Sequence, residues 1–478
     1  MKTIDRIRSM AQQLPESPAY SFRNQRLTYG QLWDMASKLA SGLRDRGART
    51  CVLVGGKEPQ MPIAILGCLI AGVTYIPVSE SVPAKRLEWI LMAAQADMII
   101  SQSAVFTGGI PRWTVDQLLS CSPMTVVPED GAQTCYIIFT SGSTGEPKGV
   151  PISRDNLDNF TDWICAIPEL ERERRCRVLN QASFSFDLSV ADLYYAFCSG
   201  HELVALDSAL TTDPSGLHDF WQREEPNVCV CTPTFLKLCL MDPEYDAAHL
   251  PGLRTVYCCG ERLDPSLAAR ALGHFPKLNL INAYGPTEAT SAVCAVRISR
   301  EMTEQKELPA GDLRTAACNI FIEDGEIVLQ GKSVFSGYLN QIHGGYFVKD
   351  GENAFHTGDY GRIEGEYLYC GGRKDRQIKW MGYRIELDEI EKCISTQPGV
   401  RDCAVTVKRT ASGEVRMIKA YVVIEDTAAQ AQQENREGSL RAQLSGLLPF
   451  YMIPKSIAFV DSLPVNANGK IDRKGLTE

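Results

Sequence analysis

The stretch YIIFTSGSTGEPKGV, Tyr136 to Val150, runs an apolar β-type segment into an unbroken tract of Ser, Thr and Gly, Thr140 to Gly145, and then into Pro147, Lys148 and Gly149. Backbone amides in such a loop can converge on phosphate oxygens. Hydroxyls of Thr140, Ser141, Ser143 and Thr144 add donors, Gly142 permits close approach, and Lys148 supplies positive charge. The spacing is not GxxxxGK[ST], because Gly149 stands where that loop needs a Mg²⁺-binding hydroxyl. A Gly/Ser tract can also be a plain linker. The strand directly before it and the Pro-Lys-Gly directly after it favour phosphate binding.

Outward from this loop, apolar strands alternate with amphipathic helices. Residues 29–47 put Leu32, Ala36, Leu39, Ala40 and Leu43 at helical spacing and stop at Gly47, after which CVLVGG reads as a buried strand. Repeated, this pattern predicts an α/β fold, a large N-terminal body with mostly parallel sheets. Near residue 370 a charged segment, EYLYCGGRKDRQIKWMGYRIELDEIEKCI, leads into a small mobile α+β C-terminal domain, so the expected domains are 1–374 and 375–478. Within the latter, DTAAQAQQENREGS reads as an exposed loop or helix start. A chain of 478 residues is longer than one hydrophobic core usually supports.

Composition excludes several classes. With 44% hydrophobic and 22% charged residues the chain is globular, and 49 basic against 58 acidic residues give a net charge of −9, unsuited to nucleic acid as main partner. The start MKTIDRIRSMAQQL lacks the apolar core of a signal peptide, and the apolar run Met61 to Val73 is too short to cross a bilayer. A cytoplasmic protein without membrane insertion is the expectation. The 17 cysteines form no CxxC, and Cys229/Cys231 and Cys258/Cys259 lie in strand-like flanks, where reduced Cys behaves as a small hydrophobe.

The loop and five further strings, in order, resemble the acyl-adenylate-forming superfamily of acyl-CoA synthetases, luciferases and peptide-synthetase adenylation domains. These are FSFDLSV (Phe184–Val190), NAYGPTEAT (Asn282–Thr290), HTGD (His356–Asp359), GRKDRQIKWMGYRIELDEIE from Gly372, and NANGKIDR (Asn466–Arg473). The resemblance implies ATP as cosubstrate, held by the phosphate loop with Asn282, Tyr284, Gly285 and Thr287, and by Asp359 and Arg373 at the ribose and phosphate. It implies Mg²⁺ on Glu288, a hard oxygen ligand. Lys470 would bridge the substrate carboxylate and the α-phosphate, stabilising charge there as adenylation proceeds. Thr287 and Glu288 would share in that catalysis. Asp375 matches the hinge of the small domain, and Phe186 the aromatic that shields the phosphate site.

The acid is read from FDLS. In relatives that activate amino acids, the Asp of this motif binds the α-ammonium, and Asp187 fills it; the competing use of Asp187 is as N-cap of the helix DLSVADLYYAF. Leu188, Ala191, Tyr257, Cys259, Gly260, Ala283, Ser291 and Ala292 complete the implied substrate set. PTFLKLCLMDPEYDAAHLPGLRTVYCCGERL and NGKIDRK resemble the branch that loads D-alanine onto a carrier protein, in which a Cys before Gly-Glu lines the alanine pocket, as Cys259 does before Gly260-Glu261. Ala191, Tyr257, Ala283 and Ser291 depart from that branch, so glycine, L-alanine, serine or a larger amino acid stays open. Only eight residues follow Lys470, which leaves no room for a carrier domain and implies a separate phosphopantetheinylated carrier protein, with coenzyme A as the alternative thiol. A nucleotide sensor without catalysis is the reading from another class. The presence of Thr144, Lys148, Glu288, Asp359 and Lys470 argues against it.

Overall fold

The computed structural model describes residues 2–119, 122–124, 131, 133–142, 146–170, 175–339, 344–380, 382–410, 415–424, 433–464, 471–473 and 475–476. They form two compact units. The first contains Met1–Glu80, Ala93–Ile138 and Gly149–Lys374; the second contains Ser81–Met92, Phe139–Lys148 and Asp375–Glu478.

The first unit is layered α/β, as its sequence pattern implies. Its largest sheet runs, edge to edge, through Cys294–Arg297, Asn279–Tyr284, Thr255–Cys258, Val228–Cys231, Arg177–Asn180, Glu202–Ala205, Pro18–Phe22 and Gln25–Thr28. Pairing is parallel except at the two edge strands. A second, mainly parallel sheet holds Thr50–Gly55 and Thr74–Ser79 at its centre, and Glu352–Glu364 and Tyr367–Arg373 belong to an antiparallel sheet. Alternation divides the strand Thr255–Cys258 between two cores: Val256 and Cys258 pack into one, Tyr257 and the following Cys259 into the other.

Local chemistry explains the helices. Tyr29–Asp45 starts with a capping box in which the Thr28 hydroxyl accepts from Gln31 N–H and Gln31 Oε1 accepts from Thr28 N–H, a motif worth about 1 kcal/mol. The helix is followed by Gly47 at φ +67°, where a side chain would be strained. Its sequence-predicted residues Leu32, Ala36, Leu39, Ala40 and Leu43 are all buried. Gln60–Ala71, the apolar run, is a helix buried on every side from Met61 onward. Leu188–Ser199 is equally enclosed, and it carries Asp192 at 0% exposure. No described helix is long and apolar enough to cross a membrane.

The second unit has its own apolar core around Ile385, Ile390, Val405 and Leu444. Val400–Arg409, Val415–Ile424 and Ser456–Phe459 make a three-stranded sheet, beside the hairpin Gln377–Trp380/Tyr383–Glu386 and the helices Leu387–Ser395 and Gln433–Ser445. The last helix takes up the end of the polar stretch that reads as a loop or helix start.

Sixteen cysteines among the described residues are free thiols, including Cys229, Cys231 and Cys258 in adjacent parallel strands. Thermal unfolding with and without a thiol reductant should therefore give one midpoint. A midpoint that drops on reduction would reveal a stabilising disulfide.

Candidate active site

The sequence-predicted residues of the first unit gather where adjacent parallel strands end. Asn180, Cys258 and Tyr284 are the last residues of their strands, and Cys259 follows directly. The carboxyl ends of such strands are where open α/β sheets bind ligands.

Asp359 anchors one cluster. Its carboxylate accepts from Tyr284 Oη at 2.8 Å and from Arg373 Nη1 at 2.7 Å, and its backbone N–H donates to Thr357 Oγ1 at 3.1 Å. Antiparallel pairing fixes the partner, since Asp359 stands opposite Arg373 in register. Burial, with the Asp359 charge next in effect, pushes the Tyr284 phenol pKa well up, so the phenol keeps its proton and donates. Arg373 also reaches the Thr357 carbonyl at 3.4 Å.

Asp187 and Thr287 form the second cluster. The Thr287 hydroxyl donates to Asp187 Oδ2 at 2.6 Å. Asp187 precedes the helix Leu188–Ser199, yet its side chain makes no capping hydrogen bond, so the capping use does not hold. Phe186, half-buried, is fixed through its backbone: N–H to Ser183 O at 3.0 Å and C=O from Ser189 Oγ at 2.6 Å.

The other substrate candidates also belong to the first unit. Leu188, Ala191, Tyr257, Cys259, Ala283 and Ala292 belong to one buried apolar core. Gly260 has φ +91°, a conformation glycine tolerates. Tyr257 Oη and Ser291 Oγ are both buried without a hydrogen-bond partner. Thr290 and Ser291 also stand at φ +60° and +73°, strain of order 1 kcal/mol each, held partly by the bond from Thr290 Oγ1 to Ser333 O at 2.9 Å.

Asn282 Nδ2 donates to Pro309 O at 2.8 Å, and Glu288, fully buried, accepts from Tyr338 Oη at 2.6 Å. Gly285 has a packing reason to be glycine, because a Cβ there would stand 2.5 Å from Ala292 Cα. Among the described residues no three His, Cys, Asp or Glu side chains cluster as metal ligands.

Thr140, Ser141, Gly142 and Lys148 belong to the second unit. Ser141 Oγ donates to Arg384 O at 2.8 Å and accepts from Glu386 N–H at 3.0 Å. Gly142 N–H donates to Glu389 Oε2 at 3.2 Å, and Glu389 Oε1 accepts from Arg86 at 2.6 Å. One loop amide is thus already engaged by a carboxylate, the type of partner an anion-binding loop takes. Thr140 Oγ1 is buried without a partner. Burial raises the Glu386 carboxyl pKa, Asp375 adds to this, and Arg384 and Lys148 oppose it. Asp375 opens the C-terminal segment of this unit and accepts from Gln377 N–H at 3.1 Å. Ser143, Thr144 and Lys470 lie outside the described residues.

Residues 7–339 match the family described as AMP-binding enzyme, and residues 389–470 match AMP-binding enzyme C-terminal domain. The chain belongs to the AMP-binding enzyme family. As such it is similar over its whole length to the D-alanine–D-alanyl carrier protein ligase of Bacillus velezensis, 38% identical with 100% of this chain and 99% of that one covered. Its likeness to the ligase of the same name from Listeria innocua is 36%, covering 99% and 98%. Among solved structures, the Vibrio cholerae adenylation domain AlmE in complex with glycyl-adenosine-5'-phosphate shares the fold at TM-score 0.84, with 24% identity and 100% and 97% of the two chains covered. The holo form of PA1221, an NRPS protein containing adenylation and PCP domains, gives TM-score 0.83 at 26% identity, covering 99% and 83%.

Some residues of this AMP-binding enzyme's site escaped the sequence reading. Tyr338 carries no motif signal, and Thr357 lies inside HTGD without a role having been given to it. Asp192 had one: a lone carboxylate in an otherwise apolar helix must be buried and therefore partnered.

Two outcomes follow for stability. Arg373→Met leaves the buried Asp359 carboxylate without its cation, so equilibrium denaturation should show a loss of about 3–5 kcal/mol. Gly285→Ala must displace the backbone at Ala292, for a loss of about 1–3 kcal/mol in the same measurement.

Proposed function

We propose that this AMP-binding enzyme is an amino acid–carrier protein ligase that uses ATP, with D-alanine as leading substrate. A carboxylate oxygen of the amino acid attacks the α-phosphorus of ATP, pyrophosphate leaves, and an aminoacyl-adenylate results. The phosphopantetheine thiol of a separate carrier protein then attacks the acyl carbon and AMP departs, with the thiol proton lost to solvent. The full-length similarity to ligases of that name supports the carrier and the D-alanine assignment.

Asp187 carries the reading. Its carboxylate is not spent on capping a helix and is oriented by the Thr287 hydroxyl, as an α-ammonium ligand needs to be. Asp359 and Arg373 take the ribose and α-phosphate, Tyr284 and Asn282 the purine side, and Thr140 to Thr144 with Lys148 the outer phosphates. The partnerless buried hydroxyl of Thr140 supports its share. Lys470 neutralises the charge that grows between carboxylate and phosphorus. Asp375 is the hinge between domains 1–374 and 375–478, Phe186 shields the phosphate site, and the setting is the reducing cytoplasm.

The donor set fits Mg²⁺. Glu288 would hold it, since a single carboxylate suffices where nucleotide phosphates and water would supply the remaining ligands. The ion would neutralise phosphate charge there.

One observation favours a second choice of amino acid. The partnerless buried hydroxyls of Tyr257 and Ser291 suit a polar side chain, which makes serine the competitor of alanine.

Pyrophosphate release over D- and L-alanine, glycine, D- and L-serine, larger amino acids and simple fatty or aryl acids tests the assignment. D-Alanine should lead. Preference for an acid without an α-amino group would remove Asp187 from the role given to it. Lys470→Ala should slow ATP–pyrophosphate exchange by roughly 10²–10³-fold, the size of effect for one lost transition-state donor. Unchanged exchange would refute its catalytic role, and no exchange in the unmutated protein would favour the sensor.

A further inference from the structure

A lysine is buried behind the candidate substrate site. Lys57 follows the strand Thr50–Gly55 and is only 6% exposed. Its ammonium donates to the side-chain oxygen of Asn180 and to the carbonyl of Ala182, and it lies 4.8 Å from the ring centroid of Phe184. These are alternate residues of one segment, from the end of the strand Arg177–Asn180 into the loop that leads to Asp187. Asn180 Nδ2 in turn donates to both oxygens of Asp192, at 3.0 and 2.9 Å, on the helix that follows Asp187. Lys57 is itself held, because Tyr20 Oη donates to its carbonyl at 2.5 Å.

We propose that Lys57 is a positioning residue for the amino-acid substrate, a three-point clamp on Asn180, Ala182 and Phe184 that sets the placement of Phe186 and Asp187. The proposal rests on Asp187 as the α-ammonium ligand.

Packing alone does not call for this arrangement. Buried charges such as Lys57 and Asp192, linked here through the Asn180 side chain, are often replaceable by apolar residues of similar volume at no loss of stability, so their worth lies in fixing one geometry. Burial pushes the Lys57 ammonium down to about 7 and the Asp192 carboxyl up to about 8, each opposed by the charge of the other. Only Ser185 and Phe186 separate Phe184 from Asp187, and the turn there is closed by the bond from Phe186 N–H to Ser183 O. An error at the clamp is therefore passed on to the Asp187 carboxylate. Misplacement by about 1 Å can cost of order 10²-fold in rate.

The test compares Lys57→Met, the double variant Lys57→Met/Asp192→Asn and Asp187→Asn in the full chain. Pyrophosphate release gives KM for ATP and for the amino acid that the panel ranks first, and hydrogen–deuterium exchange follows the peptide spanning 181–187. Lys57→Met should raise the amino-acid KM about tenfold or more, keep the ATP KM within about twofold, and speed exchange in that peptide. The double variant leaves no lone buried charge, so it should recover thermal stability yet keep the raised amino-acid KM; it also carries the test if Lys57→Met does not fold. Unchanged exchange, equal shifts in both KM values, or an amino-acid KM restored in the double variant would overturn the clamp. Asp187→Asn separates the two ideas: an unchanged amino-acid KM there refutes the ammonium role, whatever Lys57→Met does to exchange.

Discussion

The Asp359 carboxylate joins two sheets of the first unit. Tyr284 ends a parallel strand, Asp359 and Arg373 sit opposite each other in an antiparallel pair, and the three side chains meet through bonds of 2.8 and 2.7 Å. Removing a carboxylate from water costs several kcal/mol unless it is paired and hydrogen-bonded, so this group must recruit partners from both sheets at once. The register between Asp359 and Arg373 and the end of the strand Asn279–Tyr284 are thereby specified together.

The same cost governs the rest of the site, with different solutions. Asp187 remains half-buried and accepts a hydrogen bond from the Thr287 hydroxyl. Asp192 is fully enclosed and receives an amide from Asn180, with the Lys57 ammonium nearby. Glu288 is enclosed too and takes the Tyr338 phenol. A carboxylate that meets a cationic ligand must keep its charge available, whereas one that only shapes the scaffold can be neutralised on the spot. Asp192, wholly enclosed, has the second kind of environment.

This division also explains what the sequence could and could not disclose. Periodicity gave the helix Tyr29–Asp45 because its apolar face recurs every three to four residues, and the capping box at Thr28 and Gln31 is local in the chain. The strand-like flanks of Cys229, Cys231 and Cys258 were legible from their apolar runs, and these residues do lie in strands. Lys57 was illegible: VGGKEP reads as an exposed turn, and only the tertiary fold brings it to Asn180, 123 residues away. Gly285 was read as a nucleotide contact, while the structure gives it a packing reason that no spacing rule contains. Capping, the competing use of Asp187, does not hold because its own backbone is already α-helical, φ −64° and ψ −25°, whereas capping residues are typically extended.

The segment from Thr290 to Ala292 concentrates unfavourable terms that the scaffold does not need. Two successive non-glycine residues have positive φ, and Ser291 buries a hydroxyl with no partner, as Tyr257 does in the same part of the first unit. An unsatisfied buried hydroxyl costs about 1–3 kcal/mol, and such strain gathers at ligand sites because binding is where it can be relieved. A site that leaves hydroxyls unmet until a polar side chain arrives discriminates against an analogue lacking that group far more strongly than apolar fit can. Cys259, Ala191 and Ala283, small side chains of the same apolar core as Tyr257, take no part in such discrimination by hydrogen bonding. On the proposed function, the choice between alanine and its polar competitor turns on how the Tyr257 and Ser291 hydroxyls are satisfied.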